Sequence, residues 1–379
     1  MRGEDMGYTK EEKAMIWIDS FSPDYAKKAR LLQAFRDPYA VAEQFFARSE
    51  EIGGIVGERV LEEMRASLEG GANELFSAYR SQNIVCVTCF SALYPDLLRT
   101  IENPPFVLYC KGDVSLLQER KFAVVGSRRT LANVLQRTER IAEELSRAFV
   151  IVSGLADGGD TAALSGALRG GKAISVLAFG FSHVYPESNR ALLEKVIKNG
   201  LAVSEYVPSQ PAMKYNFPAR NRIIAGLSEG VLVVSGGEKS GTRITAGYAY
   251  DYGRDVFAFP YNIGEETGVC CNRLIKDYAK LTENSVDIAS AFGINLTEKE
   301  PEPLTRTEEL VLSHIGASPT HTSEIAAKTG MKEAELSPVL MLLLHEKAHR
   351  ILRRQQVGES QIEAFTLFSR KGAAKSREF

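Results

Sequence analysis

Four segments of the 379-residue chain concentrate residue types that hold anions. In "VVGSRRT", Gly126 allows a tight turn, Ser127 brings a hydroxyl, and Arg128 and Arg129 bring guanidinium groups. "IVSGLADGGDTAAL" places Ser153 and Gly154 at the end of a second apolar run, and "VVSGGEKSGTRITA" places Ser240, Gly241, Thr242 and Arg243 before a helix-like stretch. A glycine-serine turn between a strand and a helix N-terminus offers backbone N–H groups to a phosphate. One such loop is also what an ordinary tight βα turn looks like, but several in one sheet suit a ligand with several phosphates. None reads GxGxxG or GxxxxGK[ST], so neither a dinucleotide nor P-loop hydrolysis is indicated.

The fourth segment is "KYNFPARNRIIAGLS", which sets Lys214, Arg220, Asn221 and Arg222 around Tyr215 and Phe217. "IIAGLS" reads as the start of a packed helix, with Pro218 stiffening a turn before it and keeping Phe217 out of regular structure. An aromatic ring among cations is what single-stranded nucleic acid requires. The ring stacks a base, worth roughly 1–3 kcal/mol, and the cations follow the backbone. A ring that merely covers the sheet edge is the competing reading, and Arg222, nearest the helix, could be a contact within the fold.

The elements that must position these residues follow from hydrophobic rhythm. Apolar positions recur at helical spacing through "AMIWIDSF", "ARLLQAF" and "GERVLEEMRASLEG", so residues 1–78 are expected to form a small helical domain. From "NIVCVT" onward, short β-branched runs alternate with helical stretches, which predicts an α/β domain over 79–294 with a mostly parallel sheet covered on both faces. In such sheets ligands bind beyond the carboxyl ends of the strands, where these loops fall. Residues 295–304, with two prolines, read as a linker. Three helices and a hairpin predict a winged helix over 305–370, and 371–379 reads as a disordered tail. The third helix of that unit opens with Glu333 and Glu335 and contains Pro338, which favours a protein contact or a regulatory role over reading duplex DNA.

Bulk properties exclude several classes. The net charge is −2, so any anion site must be local rather than a basic coat. No run of eighteen apolar residues and no apolar leader is present, so a cytoplasmic protein without membrane attachment is expected. The five cysteines are read as reduced, and Cys86 and Cys89 of the CxxC lie on a β-run that points them to opposite faces. His345 and His349 lack a third ligand. No metal, cofactor or catalytic residue is expected.

The central block resembles the DNA-processing protein A family (DprA, also called Smf). The matching segments are "YPDLLRTIENPPFVLYCKGD", "FAVVGSRR", "IVSGLADGGDTAALSGAL", "YPESNRALLEKVIKNGLAVSEY", "NFPARNRIIAGLS", "SGTRITAGYA" and "GRDVFAFP", in the family's order over roughly residues 82–290. The resemblance implies an extended Rossmann-like domain, flanked by a helical (SAM or helix-hairpin-like) domain and a winged helix. It also implies single-stranded DNA binding, a homodimer, and loading of a RecA-type recombinase in natural transformation and recombination. By the same resemblance, Gly126, Ser127 and Arg128 would contact a phosphate. Lys214, Phe217, Arg220, Asn221 and Arg222 would line the DNA groove, and Ser240, Gly241 and Thr242 would complete the phosphate site. The chain departs from the family's usual pattern at Asp157, Gly159, Leu164, Ser235 and Tyr261.

Two other functions are compatible with the layout. One is a nucleotide-hydrolysing Rossmann-like enzyme, against which no glutamate follows Thr242 before Asp251. The other is a winged-helix transcription regulator with a ligand-sensing α/β domain.

Overall fold

The computed structural model describes residues 7–21, 24–70, 73–296, 305–314 and 321–342, and in it the apolar runs of the central block become one nine-stranded sheet. The strands are β1 (Val85–Thr88), β2 (Val107–Gly112), β3 (Lys121–Val125), β4 (Val150–Ser153), β5 (Ala173–Leu177), β6 (Leu201–Ser204), β7 (Gly230–Val233), β8 (Asp255–Ala258) and β9 (Lys280–Leu281). Their order is β1-β2-β6-β5-β4-β3-β7-β8-β9. β1, β2 and β6 pair antiparallel, and all remaining pairs are parallel. Every residue of β3 to β7 is buried, which is why those runs are apolar without alternation. β9 is an addition to the expected sheet. Its two residues are too few to make a periodic signal beside the helix that precedes them.

Among the described residues six helices precede the sheet: α1 (Lys10–Phe21), α2 (Tyr25–Phe35), α3 (Pro38–Glu43), α4 (Ser49–Val56), α5 (Glu58–Gly70) and α6 (Asn73–Ser81). Around and within the sheet follow α7 (Asp96–Arg99), α8 (Ala132–Leu145), α9 (Gly159–Gly170), α10 (Arg190–Asn199), α11 (Asn216–Leu227), α12 (Gly241–Asp251), α13 (Val269–Asp277) and α14 (Ser285–Ala291). Leu98, Ile223, Ala246 and Leu274, from α7, α11, α12 and α13, share one core with one face of the sheet. Ile141, Leu164, Val196 and Ile288, from α8, α9, α10 and α14, share a second core with the other face.

The first six helices enclose their own apolar centre around Trp17, Leu31, Phe45 and Met64, and they close it with Cys86, Val107 and Tyr109 from β1 and β2. A buried network seals that seam. Lys28 Nζ donates to Asp19 Oδ1 at 2.6 Å, and Tyr109 Oη donates to Asp19 Oδ2 at 2.8 Å. Helices and sheet therefore make one unit, Met1–Leu296, and the rest of the chain a second, Thr297–Phe379.

In the second unit α15 (Arg306–Ser313), α16 (Thr322–Thr329) and α17 (Glu333–Leu342) meet at Val311, Ile325, Leu336 and Leu340. A capping box between Thr305 and Glu308 starts α15, and Pro338 lies inside α17. The expected wing hairpin, the tail, and His345 and His349 lie outside the described residues. Cys86 faces the helical core while Cys89 packs on the opposite side of the sheet. Among the described residues no cluster of three or more His, Cys, Asp or Glu side chains could hold a metal, and no helix is long and apolar enough to cross a membrane.

Candidate nucleic-acid interface

From β3 the chain steps outward through β4, β5 and β6 in one direction and, after returning, through β7, β8 and β9 in the other. The reversal lies between β3 and β7, so the loops that follow these strands diverge and leave a crevice at their carboxyl ends. "GSRRT" follows β3 and "SGGEKSG" follows β7, which brings two of the four segments face to face. Ser127 N–H donates to Ser235 Oγ at 2.9 Å, and Thr130 Oγ1 lies 2.6 Å from the same hydroxyl. Thr242 Oγ1 donates to Ser235 O at 3.2 Å, and Ser240 caps α12 by accepting from Thr242 N–H. Ser235 is thus the pivot of the crevice, although in the sequence it stands out only as a departure from the family's pattern.

Beneath these loops is a floor of buried polar groups. Asp160, 6% exposed in the first turn of α9, accepts from Gly126 N–H at 3.2 Å and from Ala156 N–H at 3.3 Å. A Cβ on Gly126 would lie 2.7 Å from Gly159 Cα, so the two loops touch backbone to backbone. Ser153 Oγ donates to Val124 O at 2.7 Å. Burial pushes the Asp160 carboxyl up, against the attraction of Arg220 and the two backbone donors.

Above the floor the rim carries exposed charge and aromatic rings. The Arg128 guanidinium carbon lies 5.7 Å from the ring centroids of both Tyr185 and Phe217, and the two rings meet edge to face at 5.4 Å. Arg129, Lys214, Lys239 and Arg243 are exposed and have no ion-pair partner among the described residues.

This geometry bears on three expectations and corrects two of them. First, α11 begins at Asn216, so Phe217, Pro218, Arg220 and Arg222 stand on the helix and not in a turn before it. Proline is tolerated there because first-turn N–H groups have no intrahelical acceptor to lose. Second, Arg220 is not an open groove cation. It is 3% exposed and donates through Nη1 to the carbonyls of Gly154 and Val176, and burial lowers its pKa against the pull of Asp160. Third, of the two roles left open for Arg222, the structure shows the contact within the fold: Glu205 engages it through two charged bonds of 2.7 and 2.6 Å and Asn103 O at 3.1 Å. Burial works against its charge, but Glu205 outweighs that and raises its pKa.

Ser153 and Gly154 also belong to the floor. A Cβ on Gly154 would strike Arg220 Nη2 at 2.6 Å, so glycine is the residue that lets this arginine pass. Asn221 links the floor to the third loop, accepting from Arg220 Nε and donating to Gly241 O. The structure brings Ser127, Arg128, Phe217, Ser240 and Thr242 around one crevice. It adds Tyr185, Ser235 and Asp160, which no motif singles out as site residues.

At the departures, Asp157 accepts from Ser188 Oγ at 2.8 Å and Leu164 is fully buried. Tyr261 donates from Oη to Val234 O at 2.6 Å, with its ring over Gly268, where a Cβ would have no room.

The chain matches the family profile of DNA recombination-mediator protein A over residues 85–293, and the DprA winged helix domain over 296–344. It is 41% identical to the DNA processing protein DprA of Bacillus subtilis over 217 residues, 56% of this chain and 73% of that protein. The identity to the DprA of Streptococcus pneumoniae is 40% over 223 residues, 58% of this chain and 79% of that one. The X-ray structure of Streptococcus pneumoniae DprA aligns with a TM-score of 0.62 at 33% identity, covering 75% of this chain and 98% of the other. A Helicobacter pylori DprA structure, described for its single-stranded DNA binding mode, aligns with a TM-score of 0.50 at 31% identity, covering 55% and 95%. With the family profile spanning more than half of its length and the winged helix profile following it, the chain belongs to the DNA recombination-mediator protein A family.

Proposed function

We propose that the crevice between β3 and β7 binds single-stranded DNA and that the bound strand is then handed to a RecA-type recombinase in DNA uptake and recombination. The observation that carries this reading is the Arg128 guanidinium lying 5.7 Å from the rings of Phe217 and Tyr185 at the topological switch point. A base unstacked from a single strand meets an aromatic ring there, and its phosphates meet Arg128, Arg129, Lys214 and Arg243. A duplex, whose bases are already stacked and paired, gains only the charge contacts.

The amide of Gly241, at the start of α12, is assigned to one phosphate, and Gly126, Ser127, Ser240 and Thr242, whose N–H and hydroxyl groups are engaged within the fold, shape its seat. Arg220, Asn221 and Arg222 shape the crevice from within. The activity resides in the sheet domain, residues 79–294, of a cytoplasmic homodimer, and the winged helix, 305–370, serves a protein partner. The function is binding and not catalysis. The family match and the single-stranded DNA binding of the Helicobacter pylori relative support the reading.

The test is a gel shift with single-stranded and duplex oligonucleotides across a salt series. The single strand is expected to bind more tightly. Replacing Arg128 and Lys214 together by alanine is expected to lower the slope of log affinity against log salt by about 0.7 for each phosphate that is no longer neutralised. An unchanged affinity at moderate salt would sink the assignment. Base release from a nucleotide would revive the hydrolase reading, and preference for a defined duplex site the regulator.

A further inference from the structure

On the α8 side of the crevice, beside the loop after β8, lies a cavity of about 490 Å3. Its volume falls within the range of small-ligand sites, roughly 300–1,000 Å3. Leu131, Asn133, Val134 and Arg137 line it from the start of α8, and Tyr261 and Asn262 from the loop after β8. The charges on α8 single out one residue. Arg140 pairs with Glu144 at 3.0 Å, and Glu139 and Glu143 both take Arg169 at 3.1 Å. Arg137 is exposed and has no carboxylate partner among the described residues. The carboxylate at the cavity, Glu265, is engaged by the N–H and hydroxyl of Thr267.

The walls suit a flat apolar group. Leu131 is 39% exposed although apolar, and Val134 is half-buried. Tyr261 is held in place from three sides: its Oη by Val234 O, its N–H by Asn272 Oδ1 and its carbonyl by Asn272 Nδ2. Asn133 Oδ1 accepts from Val134 N–H, which leaves the side-chain NH2 for another acceptor. One unpaired cation, an apolar wall and amide groups together match a nucleotide: phosphate on Arg137, base against Leu131, Val134 and Tyr261.

Continuity argues for where that nucleotide comes from. α8 opens immediately after the loop that carries Arg128 and Arg129, and six residues of helix set Arg137 about 9 Å along from Leu131. Arg128, Arg129 and Arg137 are thus three exposed cations along one stretch of chain. We propose that the cavity is a second nucleotide subsite for the same single strand, with Arg137 as its phosphate contact. This rests on the strand-binding reading above and adds a direction to it.

The experiment measures fluorescence anisotropy of two oligothymidylates, about 6 and about 20 nucleotides long, on the full chain across a salt series. Arg137→Ala is expected to weaken the longer oligomer by roughly three- to tenfold and to lower its salt slope by about 0.7, leaving the shorter one unchanged. Arg140→Ala, on the same helix but paired, is expected to change neither. Equal weakening of both lengths by Arg137→Ala would mean only a general field, and no weakening of either would mean that Arg137 does not touch the strand. Each result overturns the subsite. Arg137-dependent binding of free thymidine monophosphate, with the long oligomer unaffected, overturns the strand path. If the unaltered protein binds neither oligomer, the strand-binding reading itself fails, and this inference with it.

Discussion

The two ends of the central sheet use their basic residues in opposite ways. At the amino ends, Arg120 before β3 holds Glu229 before β7 at 2.6 Å, Lys280 of β9 holds Asp255 of β8 at 2.7 Å, and Lys121 donates to the carbonyls of Leu117 and Glu119. At the carboxyl ends, Arg128, Arg129, Lys214, Lys239 and Arg243 remain without ion-pair partners among the described residues, while Arg220 and Arg222 beneath them are fully engaged. Charge engaged within the fold is committed to fixed partners, whereas charge left at the rim is available to a ligand. The difference lies in position along the strands and not in residue type, since arginine appears in both roles.

The comparison is tested most severely at the floor. Arg220→Met is expected to destabilise the sheet unit by about 3–5 kcal/mol, because Asp160 is left buried without its opposite charge. Urea unfolding followed by circular dichroism measures it. A loss of DNA affinity with unchanged stability would instead return Arg220 to the rim.

Next comes the amino end of β3. Burial lowers the Lys121 pKa from 10.5 to about 8, so between those values the unfolded chain binds a proton that the fold does not, and stability rises with pH. Lys121→Met is expected to flatten that rise, a difference on the order of 3 kcal/mol across the window. Parallel slopes for the two proteins would refute it.

The smallest effect concerns the half-exposed pair. Arg120→Ala is expected to cost at most about 1 kcal/mol of stability and to leave oligonucleotide binding and its salt slope unchanged. A weaker single-strand affinity here would erase the distinction between the two ends.

Much of this arrangement is legible in the sequence, for physical reasons. The fully buried strands are dominated by apolar residues with no alternation, so "KFAVV", "AISVL" and "GVLV" declare both the parallel sheet and the loops that follow it. What stays hidden depends on contacts between distant residues. Nothing local to "FPARNR" distinguishes Arg220, which reaches Gly154 and Val176, from a free cation, and the partner of Arg222 comes from the end of β6. Tyr185 sits before a proline just as Phe217 does, a parallel that becomes a signal only when β5 and α11 are seen to deliver both rings to Arg128. Ser235 reads only as a departure from the family's pattern, and its role comes from the β3–β7 pairing that places it against Ser127.

The contact of Gly126 with Gly159 has a consequence for the timing of disorder. Because the two loops meet through bare backbone, neither can loosen without moving α9. Their conformational freedom is surrendered when the chain folds and not when a ligand arrives, so the seat at the switch point is preorganised. Association there is expected to lose little entropy on the protein's side, leaving most of the ordering cost to the flexible strand.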